Sequence, residues 1–138
     1  MSVFWRPWIP VLVYYLLISY LSSRSHFPVS LPRPDFDKVI HLLEYIPVGL
    51  LICHAVLRTL PTRPKLAASL SVFIALSLGA LDEWHQSAVP GRDANVYDWL
   101  ADAMGVLIGA GLYRFINRIR RIRKTRLPLR APQKGSLP

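Results

Sequence analysis

Residues 37–57 read DKVIHLLEYIPVGLLICHAVL, and the way this stretch divides decides the fold. From Tyr45 to Leu57 no side chain is acidic or basic, counting His54 as neutral, yet a helix needs about 20 residues to cross the hydrocarbon core of a bilayer. The stretch reaches crossing length, over about 39–57, only by taking His41 and Glu44 into the membrane or its interface. Two later segments behave alike: about 66–84 ends on Asp82 and Glu83, and about 96–115 contains Asp98 and Asp102. A fourth apolar segment, about 7–22, lies between Trp5 and Trp8 at one end and Tyr20 at the other. The fold expected is all-α, a polytopic four-helix transmembrane bundle.

The rest of the chain agrees with that division. Ser30-Leu31-Pro32-Arg33-Pro34-Asp35, Pro61-Thr62-Arg63-Pro64 and Val89-Pro90-Gly91-Arg92-Asp93 each break a helix, so three breaks separate four spans. With 138 residues, 52% of them hydrophobic, the chain is too apolar for most soluble domains of this size. Its single cysteine, Cys53, excludes an intrachain disulfide and a thiolate metal site, and reads as a small apolar packing residue. The first apolar stretch runs into Ser22-Ser23-Arg24-Ser25 without a small-x-small cleavage pattern, so it is expected to stay as an anchor.

Charge gives the orientation. The net charge of +9 comes from Arg114, Arg118, Arg120, Arg121, Arg123, Lys124, Arg126, Arg130 and Lys134; without them the body is neutral. Together with Arg6, Arg58, Arg63 and Lys65 they put thirteen bases on one side, against Arg24, Arg33, Lys38 and Arg92 on the other. Lysine and arginine collect on the cytoplasmic side. Both termini and the middle loop are therefore expected in the cytoplasm, with a membrane domain over 1–115 and a basic cytoplasmic tail over 116–138. The tail suits anionic lipid headgroups, at about 1 kcal/mol per base near the surface. Nucleic acid is not expected as a partner, because no aromatic residue is interleaved after Phe115 to stack on bases.

The same topology puts all eight acids outside: Asp35, Asp37, Glu44, Asp82, Glu83, Asp93, Asp98 and Asp102. Lys38, His41 and Glu44 step by three and share an arc of about 120° on a helix. Asp82 and Gln86 are four apart. Asp98, Asp102, Gly105 and Gly109 form one stripe, whose glycines permit close helix approach. Ionisable groups at membrane depth cost about 2.5–3.5 kcal/mol each at the helix centre, so several together must offset one another. Lys38, His41 and Arg92 are the counter-charges for Glu44, Asp82, Glu83, Asp98 and Asp102. A polar pocket open to the outer face is the inference.

Asp37-Lys38-x-x-His41-x-x-Glu44-Tyr45, Asp82-Glu83-x-x-Gln86, Pro90-Gly91-Arg92 and Asp98-x-x-x-Asp102-x-x-Gly105, in this order, resemble the signature of VanZ-like membrane proteins, over about residues 36–113. That family is named for a protein associated with resistance to the glycopeptide teicoplanin. The resemblance implies a small multi-pass protein of the bacterial inner membrane whose biochemical activity is not established. One position departs: the family pattern usually has Asn where this chain has Asp102. Its extra carboxylate calls for protonation or for pairing with Arg92.

Three uses of such a site compete with a purely structural one, in which Lys38 and Arg92 only lock the helices. The site can recognise a lipid-linked wall precursor or an antibiotic, with Lys38 and Arg92 on the anion, and so affect glycopeptide susceptibility. It can be a metal-dependent hydrolase or transferase, with Glu44 and His41 in acid–base roles and Asp82, Glu83, Asp98 and Asp102 on a divalent cation against a lipid-linked phosphate. No glycine-rich phosphate loop, Gly-x-Ser-x-Gly elbow or His-Glu-x-x-His helix supports the enzyme, and no cofactor is named by the sequence. A small transporter would need a homo-oligomer to enclose a pathway. Of the other residues, His54 reads as a helix–helix hydrogen-bonding group, His26 as solvated, His85 as exposed or a metal ligand, and Trp5, Trp8, Trp84 and Trp99 as interfacial anchors.

Overall fold

A computed structural model describes residues 4–24, 36–92 and 94–126. Four helices follow one another: α1 Ile9–Ser22, α2 Phe36–Thr59, α3 Pro64–Ser87 and α4 Val96–Arg126, with a 3-10 turn at Arg6–Trp8 leading into α1. There is no strand among the described residues. His26, Asp35 and Asp93, and residues 127–138 of the expected tail, lie outside them.

Side-chain bonds at the helix ends show that neighbours run antiparallel. Trp8 Nε1 donates to Thr59 Oγ1 at 3.1 Å, tying the start of α1 to the end of α2. At the other end Ser22 Oγ donates to Asp82 Oδ2 at 3.2 Å, tying the end of α1 to α3. The turn after α2 is tight, with Leu60 N bonded to Val56 O at 2.8 Å, and Pro64 opens α3, where a missing N–H costs nothing.

Three helices have the length and apolar composition to cross a membrane: Phe36–Thr59, Pro64–Gln86 and Val96–Thr125. The first of the four expected spans is shorter. Its 14 residues make about 21 Å of α-helix, below the about 30 Å of a hydrocarbon core. Two prolines near its start, Pro7 and Pro10, hold the preceding residues in a 3-10 turn rather than a further turn of α-helix. In contrast, α4 runs eleven residues past Phe115, to Arg126, so much of the basic segment is a helical extension of the fourth span. Its 31 residues amount to about 46 Å, long enough to carry the last arginines clear of the hydrocarbon.

The helices expose apolar side chains around the bundle, among them Leu12, Leu16, Leu43, Phe73, Leu107 and Phe115, which is the surface of a protein solvated by lipid. Inside, α2 and α4 pack most closely. A Cβ on Gly105 would run into the carbonyl oxygen of Leu42, one on Gly109 into that of Ile46, and one on Gly49 into that of Val106. Backbone therefore touches backbone along this seam, around fully buried Tyr45, Ile52 and Val106. Cys53 is buried and free.

Candidate functional site

The N-terminal turns of α2 and α4 and the C-terminal turn of α3 meet at one end of the bundle, opposite the arginine-rich end of α4. That end holds nearly all of the polar interior. His41, Asp82, Glu83, Gln86, Asp98 and Asp102 are each at most 7% exposed. Burial of this kind has a cost unless each group finds a partner, and the partners define two sets.

The first set joins α2 to α4 and α3. His41 Nδ1 lies 3.0 Å from Asp102 Oδ1 and 3.8 Å from Glu83 Oε1. Lys38 Nζ, one turn earlier on the same face, reaches Asp98 Oδ1 at 3.4 Å and its own neighbour Asp37 Oδ1 at 3.4 Å. The second oxygen of Glu83 accepts from the backbone amide of Asn95 at 3.0 Å, which fixes the entry of α4 against α3. Asp102 fits because α3 presents a glycine there: a Cβ on Gly79 would stand 3.3 Å from Asp102 Oδ2.

The second set centres on Asp82, whose Oδ2 accepts from Gln86 Nε2 at 3.0 Å and from Ser22 Oγ at 3.2 Å. The four-residue spacing of Asp82 and Gln86 is thus a bond along one helix face. Ser22 closes it from α1.

Between these sets and the surface is a cavity of about 40 Å³ lined by Leu21, Ser22, Asp37, Ile40, His41, Glu44, Gln86 and Arg92. One water needs roughly 10–15 Å³ on this measure, so the space takes a few waters or the end of a polar headgroup. Arg92 reaches it through a turn. Pro90 and Gly91 occupy its centre, Gly91 at φ 82° where a side chain is disfavoured, and Arg92 N bonds back to Val89 O at 3.1 Å, the pattern of a type II turn. Arg92 Nε then donates to the carbonyl of Arg24 at 3.2 Å, bridging to the end of α1. Glu44 is half-buried on the cavity wall, and its backbone carbonyl accepts from Tyr14 OH at 3.1 Å.

The nine candidate residues thus gather at one end but do different things. His41 and Gln86 belong to both the buried network and the cavity wall, Glu44 and Arg92 to the cavity wall, and Lys38, Asp82, Glu83, Asp98 and Asp102 to the network. The base on Asp102 is His41, from α2, where the sequence offered protonation or pairing with Arg92. His85 is exposed and bonds Ser23 at 2.8 Å, away from the acids. His54 Nδ1 lies 3.2 Å from Tyr113 OH, a link between α2 and α4 near the opposite end. Trp99 Nε1 bonds Leu76 O at 3.2 Å, and Trp5 and Trp84 are exposed.

Two members of the site, Ser22 and the Asn95 amide, were not singled out from sequence, and Tyr45 entered only as the last residue of the His41-x-x-Glu44-Tyr45 motif. Tyr45 is fully buried beside the network, and its four-residue spacing from His41 was the available signal. Ser22 and the Asn95 amide carry no signature of their own. Orphaned oxygens cluster here too: Tyr45 OH, Asp82 Oδ1, Glu83 Oε1 and Asp102 Oδ2 are buried without a hydrogen-bond partner among the described residues.

A family model described as VanZ/LLP1 matches residues 4–117, which takes in α1 as well as the motif-bearing helices α2 to α4. No curated protein and no solved structure matches the chain.

Proposed function

The chain belongs to the VanZ/LLP1 family, and from that premise we propose that it is a membrane recognition protein whose polar end binds the phosphate-bearing headgroup of a lipid-linked cell-wall precursor. Binding of that ligand at the outer face of the bacterial inner membrane would alter susceptibility to glycopeptides such as teicoplanin. The observation that supports this most is the small cavity at the polar end of the bundle, with Arg92 and His41 on its wall. An arginine set on a fixed turn presents a planar donor fork suited to phosphate oxygens. The lipid tail needs no pocket, since the exposed apolar helix faces already sit in hydrocarbon.

The outward orientation rests on the bases at the other end. Arg58, Arg63, Lys65, Arg118, Arg120, Arg121 and Arg123 are exposed there and suit the anionic cytoplasmic leaflet. The Arg24 carbonyl holds Arg92 Nε at 3.2 Å, which keeps the guanidinium beside the cavity that Glu44 also lines.

The test is direct binding. Purified protein in nanodiscs of neutral lipid is titrated with a polyprenyl phosphate, and tryptophan fluorescence is read. Saturable binding is expected, absent with the uncharged polyprenol and weakened roughly tenfold or more by Arg92→Ala, the loss of one charge-assisted contact. Equal binding of alcohol and phosphate, or an unchanged affinity in Arg92→Ala, would sink the reading.

A further inference from the structure

The buried acids outnumber the bases that face them. Asp82, Glu83, Asp98 and Asp102 are within the bundle, and among the described residues Lys38 lies on Asp98 and His41 on Asp102 and Glu83. Away from water a carboxylate keeps its charge only opposite a cation. Glu83 is the most telling of the four. Its Oε2 is held by the Asn95 amide at 3.0 Å, which turns Oε1 inward, buried, with no hydrogen-bond partner among the described residues and 3.8 Å from His41 Nδ1.

His41, Glu83 and Asp102 each offer one ligand atom, and these atoms all lie within 4.8 Å of one another. Two ligands each about 2.1 Å from one ion stand about 3.0 Å apart at a right angle and about 3.4 Å apart at a tetrahedral one. The observed separations of 3.0 and 3.8 Å from His41 Nδ1 fall on either side of the tetrahedral value, and the two carboxylate oxygens, within 4.8 Å of each other, close on one ion by small side-chain rotations. The three residues come from three different helices: backbone contact joins α2 to α4, and the Asn95 amide holds Glu83 of α3. Asp102 Oδ2 and Tyr45 OH are also buried without a hydrogen-bond partner among the described residues.

We propose that His41, Glu83 and Asp102 form a site for one divalent first-row transition-metal ion, of the zinc or manganese kind. An imidazole nitrogen with two carboxylates suits these ions, whereas magnesium and calcium take oxygen ligands. The ion supplies the missing positive charge and clamps α2, α3 and α4 at the polar end. His41 also lines the cavity, which gives the ion a way in and an open coordination position toward water. The ligand set of this site is separate from the arginine that would meet a phosphate.

Full-length protein in detergent, stripped with a chelator and dialysed against zinc or manganese, should retain one ion per chain by elemental analysis and melt at a higher temperature than the stripped form. Magnesium should do neither. Glu83→Gln keeps an oxygen for the Asn95 amide and removes a buried charge, so its stripped form should melt no lower than stripped wild type. It should nonetheless bind the ion at least roughly tenfold more weakly and lose the metal-dependent rise. His41→Ala should also lose the ion, and His85→Ala, at the exposed histidine, should keep it. Folded wild type that retains no ion, or an affinity left unchanged by Glu83→Gln, overturns the proposal. Either result is independent of polyprenyl phosphate binding, which Arg92→Ala probes at a residue outside the ligand set.

Discussion

His41 of α2 and Asp102 of α4 face each other at 3.0 Å directly beside the place where the two backbones touch. Gly105, one turn beyond Asp102, leaves no room for a Cβ against the carbonyl of Leu42, the residue after His41. The close approach that seals the α2–α4 seam therefore also sets the length of the polar bond. Packing and site chemistry are one feature here, and changes to either should be felt by both.

Substitutions at Asp102 separate charge from hydrogen bonding. Asp102→Asn keeps an oxygen for the His41 ring and removes one buried charge, so chelator-treated protein should melt within about 1 kcal/mol of wild type. Asp102→Ala removes the closer partner of buried His41, leaving Glu83 at 3.8 Å, and should cost about 3 kcal/mol. Detergent melts followed by circular dichroism decide this. Equal losses in both variants would show that the carboxylate charge, not the bond, carries the contact.

The glycine seam makes its own prediction. Gly105→Ala and Gly109→Ala each place a methyl group against backbone that cannot swing aside, and should destabilise by about 1–3 kcal/mol. Gly111 is on the same helix with nothing within 4 Å of its Cβ position, so Gly111→Ala should be neutral or stabilising by up to about 1 kcal/mol through helix propensity. The contrast is read from the three melting temperatures side by side. A uniform response along α4 would contradict backbone contact at 105 and 109.

Much of this arrangement was legible in the residues alone, for identifiable reasons. Long apolar runs broken by prolines announce helices of membrane length, and antiparallel order then brings Lys38, His41, Asp82, Asp98 and Asp102 to one end. Helical spacing gives the face of a residue but not its depth, so it could not separate buried His41 from half-buried Glu44. Nor could it choose His41 over Arg92 for Asp102, because that choice depends on how far α4 slides along α2, which Gly49, Gly105 and Gly109 set together. The extension of α4 was hidden by its arginines, which read as a tail although they form helix readily and no proline intervenes before Pro128. The brevity of α1 was hidden by Pro7 and Pro10, whose effect on the first turn is conformational and leaves hydropathy unchanged.

Sidedness can be checked without touching the site. Ser87 and Thr62 are exposed at opposite ends of α3, and Cys53 is buried, so a single cysteine introduced at either end is the reactive one. In intact cells Ser87→Cys should label with a membrane-impermeant maleimide, and Thr62→Cys should label only after lysis. The reverse pattern would turn the polar end toward the cytoplasm and remove the basis for a cell-wall ligand.

The cavity wall and the network behind it should separate in cells as well. Arg92 and Glu44 line the cavity and are not among the buried groups, so Arg92→Ala and Glu44→Gln should each change stability by about 1 kcal/mol or less and leave membrane insertion intact. If the cavity binds the envelope ligand, both variants should lose any effect of the protein on teicoplanin susceptibility while their membrane levels match wild type. His41→Ala should instead lower the amount of folded protein, because it strips the partner from Asp102 and one from Glu83. Susceptibility and membrane abundance measured together distinguish these outcomes: a loss of effect that always tracks a loss of protein would reduce the polar end to a lock between helices.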